Sequence, residues 1–313
     1  MLDILAKTLP FFAIIALGWQ AGRTGFFTPQ ATAYLTKFVF YFALSAMLFR
    51  FAANLSFWDV WDPTLVVAYL CASVWVYVVA TGVAFARGRG LEEAAVEAQC
   101  AVIGNVGFLG VPMLVLLLGE AAIGPVMLIL AADLVVFGSL IVILITGGRD
   151  GRVALGVLRT VGLGLIRNPM IVSIVAGFAW AALEVPIPAP MNDFLAILGG
   201  AATPGALFAI GASLAGKSAE RLSVAAWLSA AKLILHPAAV AVATLAMFPV
   251  DPYAAGVAIS AAALPVAGNV YILAQHYGVA PQRVSTAILV STAASVLTVS
   301  AVIAWVAVGG GSG

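Results

Sequence analysis

GNVGFLGVP (Gly104–Pro112) and LPVAGNVY (Leu264–Tyr271) are near-repeats set in opposite halves of the chain. Each puts glycine, asparagine and proline inside a long apolar stretch. Proline within a helix removes a hydrogen bond and clashes with the preceding turn, and neighbouring glycines loosen the backbone further. In a bilayer core such broken backbone is tolerated only where it is buried in protein or lines a cavity. Two breaks in corresponding places of two chain halves are the sequence mark of a transporter binding site. The alternative reading is a pair of ordinary proline kinks. The shared Gly-Asn-Val, at 104–106 and 268–270, favours the site.

The rest of the chain sets the solvent. Of 313 residues, 64% are hydrophobic and 9% charged, with a mean hydropathy of +1.14. Soluble domains carry about 25% charged residues, so a chain this apolar needs lipid around it. The net charge is +1 and the basic residues sit in short loops, so nothing points to nucleic acid. Cys71 and Cys100 lack metal-ligand spacing and read as small packing residues. The first 23 residues, with Asp3 and no clear cleavage site, read as a retained first helix rather than a signal peptide.

About 20 apolar residues cross a membrane. On that measure ten spans are expected, at 4–22, 28–50, 63–86, 95–118, 121–146, 169–184, 193–214, 222–247, 252–278 and 283–307. Lys and Arg then orient them. Loops after odd-numbered spans hold Arg23, Arg87, Arg89, Arg149, Arg152, Arg159, Arg167, Lys217, Arg221 and Arg283, whereas the other side holds only Lys7 and Arg50. Both termini should therefore face away from the cytoplasm. Residues 1–146 form a first five-helix repeat, 147–168 a cytoplasmic connecting loop, 169–307 an inverted second repeat and 308–313 a flexible tail. In that loop Arg152 and Arg159 lie seven apart. The spacing suits an amphipathic helix on the inner leaflet, or a plain positive-inside loop. The fold class is thus all-α and polytopic, with spans 4 and 9 broken and crossed.

Pro112 and Pro265 are each expected to open the second half of a broken span, since proline fits the first helical position. Two half-helix N-termini would then meet near the midplane, offering partial positive charge and free N–H groups to an anion. Asn105 and Asn269 either contact a carboxylate or merely cap the broken helices. Gly104, Gly107, Pro112, Pro265 and Gly268 complete the expected substrate site.

Ten spans, Asn-x-Gly-x-x-Gly-x-Pro in the fourth (Asn105, Gly107, Gly110, Pro112) and Pro-x-x-x-Asn in the ninth (Pro265, Asn269) resemble the auxin efflux carrier family. That family covers the plant PIN proteins and bacterial carriers proposed for malonate and malate. The stretch GRTGFFTPQATAYLTKFVFYFALSAMLF (Gly22–Phe49) is similar to its first loop and second span, with Leu44-Ser45 where the family often has Leu-Pro. The resemblance implies crossed helices in a mobile domain, and spans 1, 2, 6 and 7 as a static scaffold and homodimer contact. It also implies a bacterial inner-membrane carrier that moves a small organic anion by an elevator-like motion.

Ionisable residues inside spans are expensive and are functional candidates by default. Asp133 could carry a coupling proton or pair with Lys232. Ser45, Lys232 and His236 are candidates to line the pore or pair with other groups, and Lys37 is close enough to the cytoplasmic end to snorkel. Gly-x-Ser at Gly211–Ser213 with His236 is too common a pattern to indicate a protease, so no enzyme, cofactor or metal is expected. A sodium- or proton-coupled symporter or antiporter of the bile-acid or sodium/proton type is the rival, although such proteins usually carry acids at the crossing. A channel or receptor is the rival from another class. Anion export is downhill by about 2.3 kcal/mol per charge per 100 mV, whereas import needs a coupling ion.

Overall fold

The computed structural model describes residues 2–55, 57–150, 155–216 and 222–309. The regular elements of these residues are all helical, and their one β-type pairing is a single antiparallel bridge, Gly104 with Val266. The helices are α1 (Leu2–Arg23), α2 (Pro29–Ala53), α3 (Pro63–Ala86), α4 (Leu91–Val102), α5 (Val106–Leu118), α6 (Glu120–Arg149) and α7 (Leu155–Arg167). They continue as α8 (Pro169–Ala181), α9 (Ala189–Leu214), α10 (Leu222–Met247), α11 (Pro252–Ala262), α12 (Gly268–Tyr277) and α13 (Pro281–Gly309). A single further turn stands at Phe57–Val60. Six of them (α2, α3, α6, α9, α10 and α13) are long and apolar enough to cross a membrane. The bent pair α7–α8, which turns by 69°, adds a seventh if counted as one span. Shorter apolar helices α5 and α11 flank the two breaks.

Local chemistry sets the starts. Thr28, Asp62, Asn168 and Asp251 precede prolines at 29, 63, 169 and 252, and each side chain accepts a hydrogen bond from a first-turn N–H of α2, α3, α8 or α11. The proline supplies a preset φ where its missing donor costs nothing. The loop between α6 and α8 holds a real helix, α7, so the amphipathic segment is helical from Leu155; Arg152 lies outside the described residues. Residues 310–313 of the expected tail are likewise outside them, and α13 extends to Gly309.

The helices pack in two groups. In the first, α1 lies along the second half of α9, and α2 packs on α8 and the first half of α9. The contacts are backbone to backbone. A Cβ on Gly211 would stand 1.9 Å from the Ile15 carbonyl oxygen, one on Gly18 2.1 Å from that of Phe208, and one on Gly177 2.7 Å from that of Phe49. Lipid tails give helices no hydrophobic reason to associate, so small residues that admit close approach do the packing. The second group comprises α3, α4, α6, α10, α11, α12 and α13, and contains the breaks.

Charge pairs gather the loop ends of this second group. Arg283 on α13 bonds Glu97 (2.6 Å) and Glu93 (3.1 Å) on α4, and Arg87 after α3 also bonds Glu97. Arg149 at the end of α6 bonds Glu92 at 2.9 Å and the carbonyl of Tyr277 at the end of α12. Three of the arginine-bearing loops assigned to one face therefore meet on one face.

Candidate functional site

Both breaks fall where the glycine-asparagine-proline clusters stand. Helix α4 ends at Val102 and α5 begins at Val106; α11 ends at Ala262 and α12 begins at Gly268. The two gaps pair with each other. Asn105 N donates to the Pro265 carbonyl (2.8 Å), and Ala267 N donates to the Ile103 carbonyl (3.0 Å). Ser291 Oγ on α13 accepts from Val266 N at 3.1 Å. Backbone groups freed by each break are thus satisfied mostly by the other break, which is how non-helical chain survives away from water.

The two broken elements run antiparallel. Arg149 binds both the start of α4, through Glu92, and the end of α12, at Tyr277. At the far ends, the Tyr253 hydroxyl at the start of α11 donates to the Leu118 carbonyl at the end of α5 (2.9 Å). The elements meet at the antiparallel bridge between Gly104 and Val266.

One proline is placed as expected and the other is not: Pro112 stands in the first turn of the regular α-helix Val111–Leu118, whereas Pro265 does not open α12. Helical structure resumes at Val106, as a π turn through Gly110, so Pro112 lies in the first turn of regular α-helix beyond an existing helical start. Pro265 sits in the extended gap, three residues before α12, and contributes only its carbonyl. The residue before a proline is pushed out of the helical region, so Leu264-Pro265 maintains the gap instead of closing it.

A cavity of about 50 Å³ lies beside the crossing. Of the expected site residues, Gly104, Asn105, Gly107, Asn269 and Asp133 line it; Pro112, Pro265, Gly268, Ser45, Lys232 and His236 do not. Ser45 instead donates to the Phe40 carbonyl at 3.1 Å, closing the π turn of α2. The wall also contains residues the sequence did not single out, among them Gln99, Phe40, Phe108 and Met170. Gln99 stands in the last turn of α4, four residues before the break, and carries no motif that would single it out in the sequence. Its Nε2 donates to the Phe137 carbonyl at 3.3 Å.

Neither asparagine caps a helix. Asn105 precedes the π turn and Asn269 lies in the first turn of α12, and neither makes a side-chain capping bond. Asn269 Oδ1, Gln99 Oε1 and Asp133 Oδ2 are buried acceptors with no protein partner. Buried polar atoms are nearly always paired, and three of the unpaired acceptors among the described residues stand on side chains that line this one cavity.

Asp133 opens a π turn (Asp133–Phe137) in α6, and its Oδ1 accepts from the Tyr69 hydroxyl of α3 at 2.8 Å. Single π turns in long helices recur at functional positions. Asp133 and Lys232 form no ion pair within 4 Å among the described residues; Lys232 is fully buried and bonds His236 Nδ1 (3.1 Å) and the Ala262 carbonyl. His236 Nε2 meets Ser73 Oγ at 2.9 Å. Lys37 is exposed.

Apolar helices of membrane-crossing length around a mutually paired double break define a polytopic helical membrane protein. The comparisons agree. The family described as "Membrane transport protein" matches residues 3–303. A protein of Rhizobium meliloti (strain 1021), named "Putative malonate transporter", is 32% identical over 310 residues, covering 96% of this chain and 95% of that protein. The chain belongs to this membrane transport family, the auxin efflux carrier type that its motifs resemble.

Proposed function

We propose that the protein is a carrier of a small carboxylate anion, of the malonate or malate kind, that works by alternating access. The observation that carries this is the crossing: two antiparallel broken helices share their backbone bonds and leave both asparagine side chains uncommitted beside one cavity. The second halves begin at the crossing, so their N-terminal N–H groups and partial positive charge are available there to a carboxylate. A relative named for malonate supports the substrate class.

In this reading the chain crosses the inner membrane ten times as two inverted five-helix repeats, with both termini outside. The antiparallel run of the broken elements and the clustering of Arg87, Arg149 and Arg283 on one face support that layout. The group formed by α1, α2, α8 and α9 is the scaffold and the homodimer contact, and the other group moves against it as an elevator. Asp133, at the cavity wall, carries a proton when transport is uphill, which keeps proton-coupled symport as the nearest rival.

The test is counterflow in proteoliposomes with labelled mono- and dicarboxylates. Saturable counterflow of a carboxylate is expected. Conductance without saturation indicates a channel, and an absence of carboxylate binding overturns the proposal.

A further inference from the structure

Lys232 has no role in the cavity and yet lies under the crossing. It is fully buried and belongs to a π turn of α10, Ala231–Leu235. A π turn inserts one residue into the helix and so re-aims the side chains within it. Its ammonium donates to the carbonyl of Ala262, the last residue of α11. Both Nζ and Cε lie 3.2 Å from the point where a Cβ on Gly104 would stand, just beyond the end of α4. The ammonium is therefore wedged between the C-terminal ends of the two first half-helices, α4 and α11.

Those ends are electrically alike. Each helix C-terminus carries about half a negative charge and carbonyls without intrahelical partners. Two of them converge in a site without bulk water. The described ion pairs lie at the arginine-bearing face, and none neutralises the crossing from this side. We propose that Lys232 is a built-in counter-cation: its tethered ammonium fills the position at the crossing that a bound monovalent cation would otherwise have to fill. The second halves then present their positive ends to the anion on one side, and Lys232 neutralises the negative ends on the other.

The neighbours fit this role. An ammonium only donates, so His236 Nδ1 is the acceptor in the Lys232 contact at 3.1 Å, and the ring proton sits on Nε2, which donates to Ser73 Oγ at 2.9 Å. His236 and Ser73 are positioning residues. They fix a neutral imidazole one helical turn from the lysine and aim the ammonium at Ala262. Gly104 has its second reason here, since a methyl group would press on both the ammonium and the Ala261 carbonyl, 3.3 Å away.

The test uses purified full-length protein. Lys232→Ala removes the ammonium and leaves space for a small cation; Lys232→Met removes the charge and keeps the space filled. Lys232→Ala is expected to lower the melting temperature, and ethylammonium or sodium in the buffer is expected to recover at least half of the loss. Wild type and Lys232→Met should not respond to either cation. If Lys232→Ala does not fold in plain buffer, it is extracted in ethylammonium; recovery supports the assignment, and continued failure overturns it. In the second arm, which rests on the carboxylate-carrier reading, wild-type counterflow should be equal in sodium, potassium and N-methylglucamine media. A wild type that requires sodium or potassium, or a Lys232→Ala variant that is as stable as wild type or is not rescued by either cation, overturns the proposal. Normal cation rescue of stability with no carboxylate counterflow leaves Lys232 as assigned and removes only the substrate reading.

Discussion

Replacing Asn269 by alanine separates a binding role from a structural one. Asn269 Oδ1 is buried without a partner and the side chain caps nothing. An N-cap asparagine replaced by alanine typically costs about 1 kcal/mol, but here there is no such bond to lose. An unsatisfied buried polar group itself costs about 1–3 kcal/mol, so its removal should leave stability unchanged or slightly raised. Binding should move the other way. One hydrogen bond donated by the Asn269 Nδ2 amide to a carboxylate contributes about 1.5–3 kcal/mol, which corresponds to roughly 10- to 150-fold in affinity. The assay pairs thermal unfolding in detergent with carboxylate binding by the same purified variant. The expected result is a melting temperature at or above wild type with at least tenfold weaker binding, and Asn105→Ala should behave alike. Because both side chains line one cavity, the double variant should lose less than the sum of the two. Lowered stability with wild-type affinity would falsify the site assignment and leave Gly-Asn-Val as a structural signature.

Glu97 is almost fully buried and holds both Arg87 and Arg283; Glu97→Ala leaves the buried Arg283 short of a partner and should cost about 3–5 kcal/mol, seen as a large loss in thermal or denaturant unfolding. Asp133→Asn should abolish the pH dependence of net carboxylate uptake while counterflow persists; unchanged pH dependence in a folded variant would make Asp133 a structural partner of Tyr69. Gly211→Leu drives a side chain into the Ile15 carbonyl and should disrupt the packing of α1 on α9, read as aggregation on size exclusion, and a monodisperse variant would contradict the close approach. A neutral amide of a bound acid should bind at least about tenfold more weakly than the acid, as expected when the second half-helices offer positive ends; equal binding would defeat the dipole argument.

The sequence by itself determined the solvent, the helical class and the place of both breaks. These follow from rules that act within a few bonds: an apolar chain cannot face water, and Gly, Asn and Pro in an apolar run cannot complete a helix. The tertiary structure decided what the breaks do with their freed backbone. Asn105 N could have been served by its own asparagine side chain, by water or by a neighbour, and only the crossing shows that Pro265 serves it. That choice moved Pro265 from a helix start to an extended link. Likewise, nothing in the sequence names the partners of Glu92, Glu93, Glu97 and Gln99, and Lys232 stands out there only as a costly buried charge with Asp133 as its expected partner. Their partners, Arg149, Arg283, Phe137 and Ala262, lie 30 to 190 residues away in the chain. Composition and spacing register the cost of burying a charge, but the group that offsets this cost is chosen by which helices oppose one another.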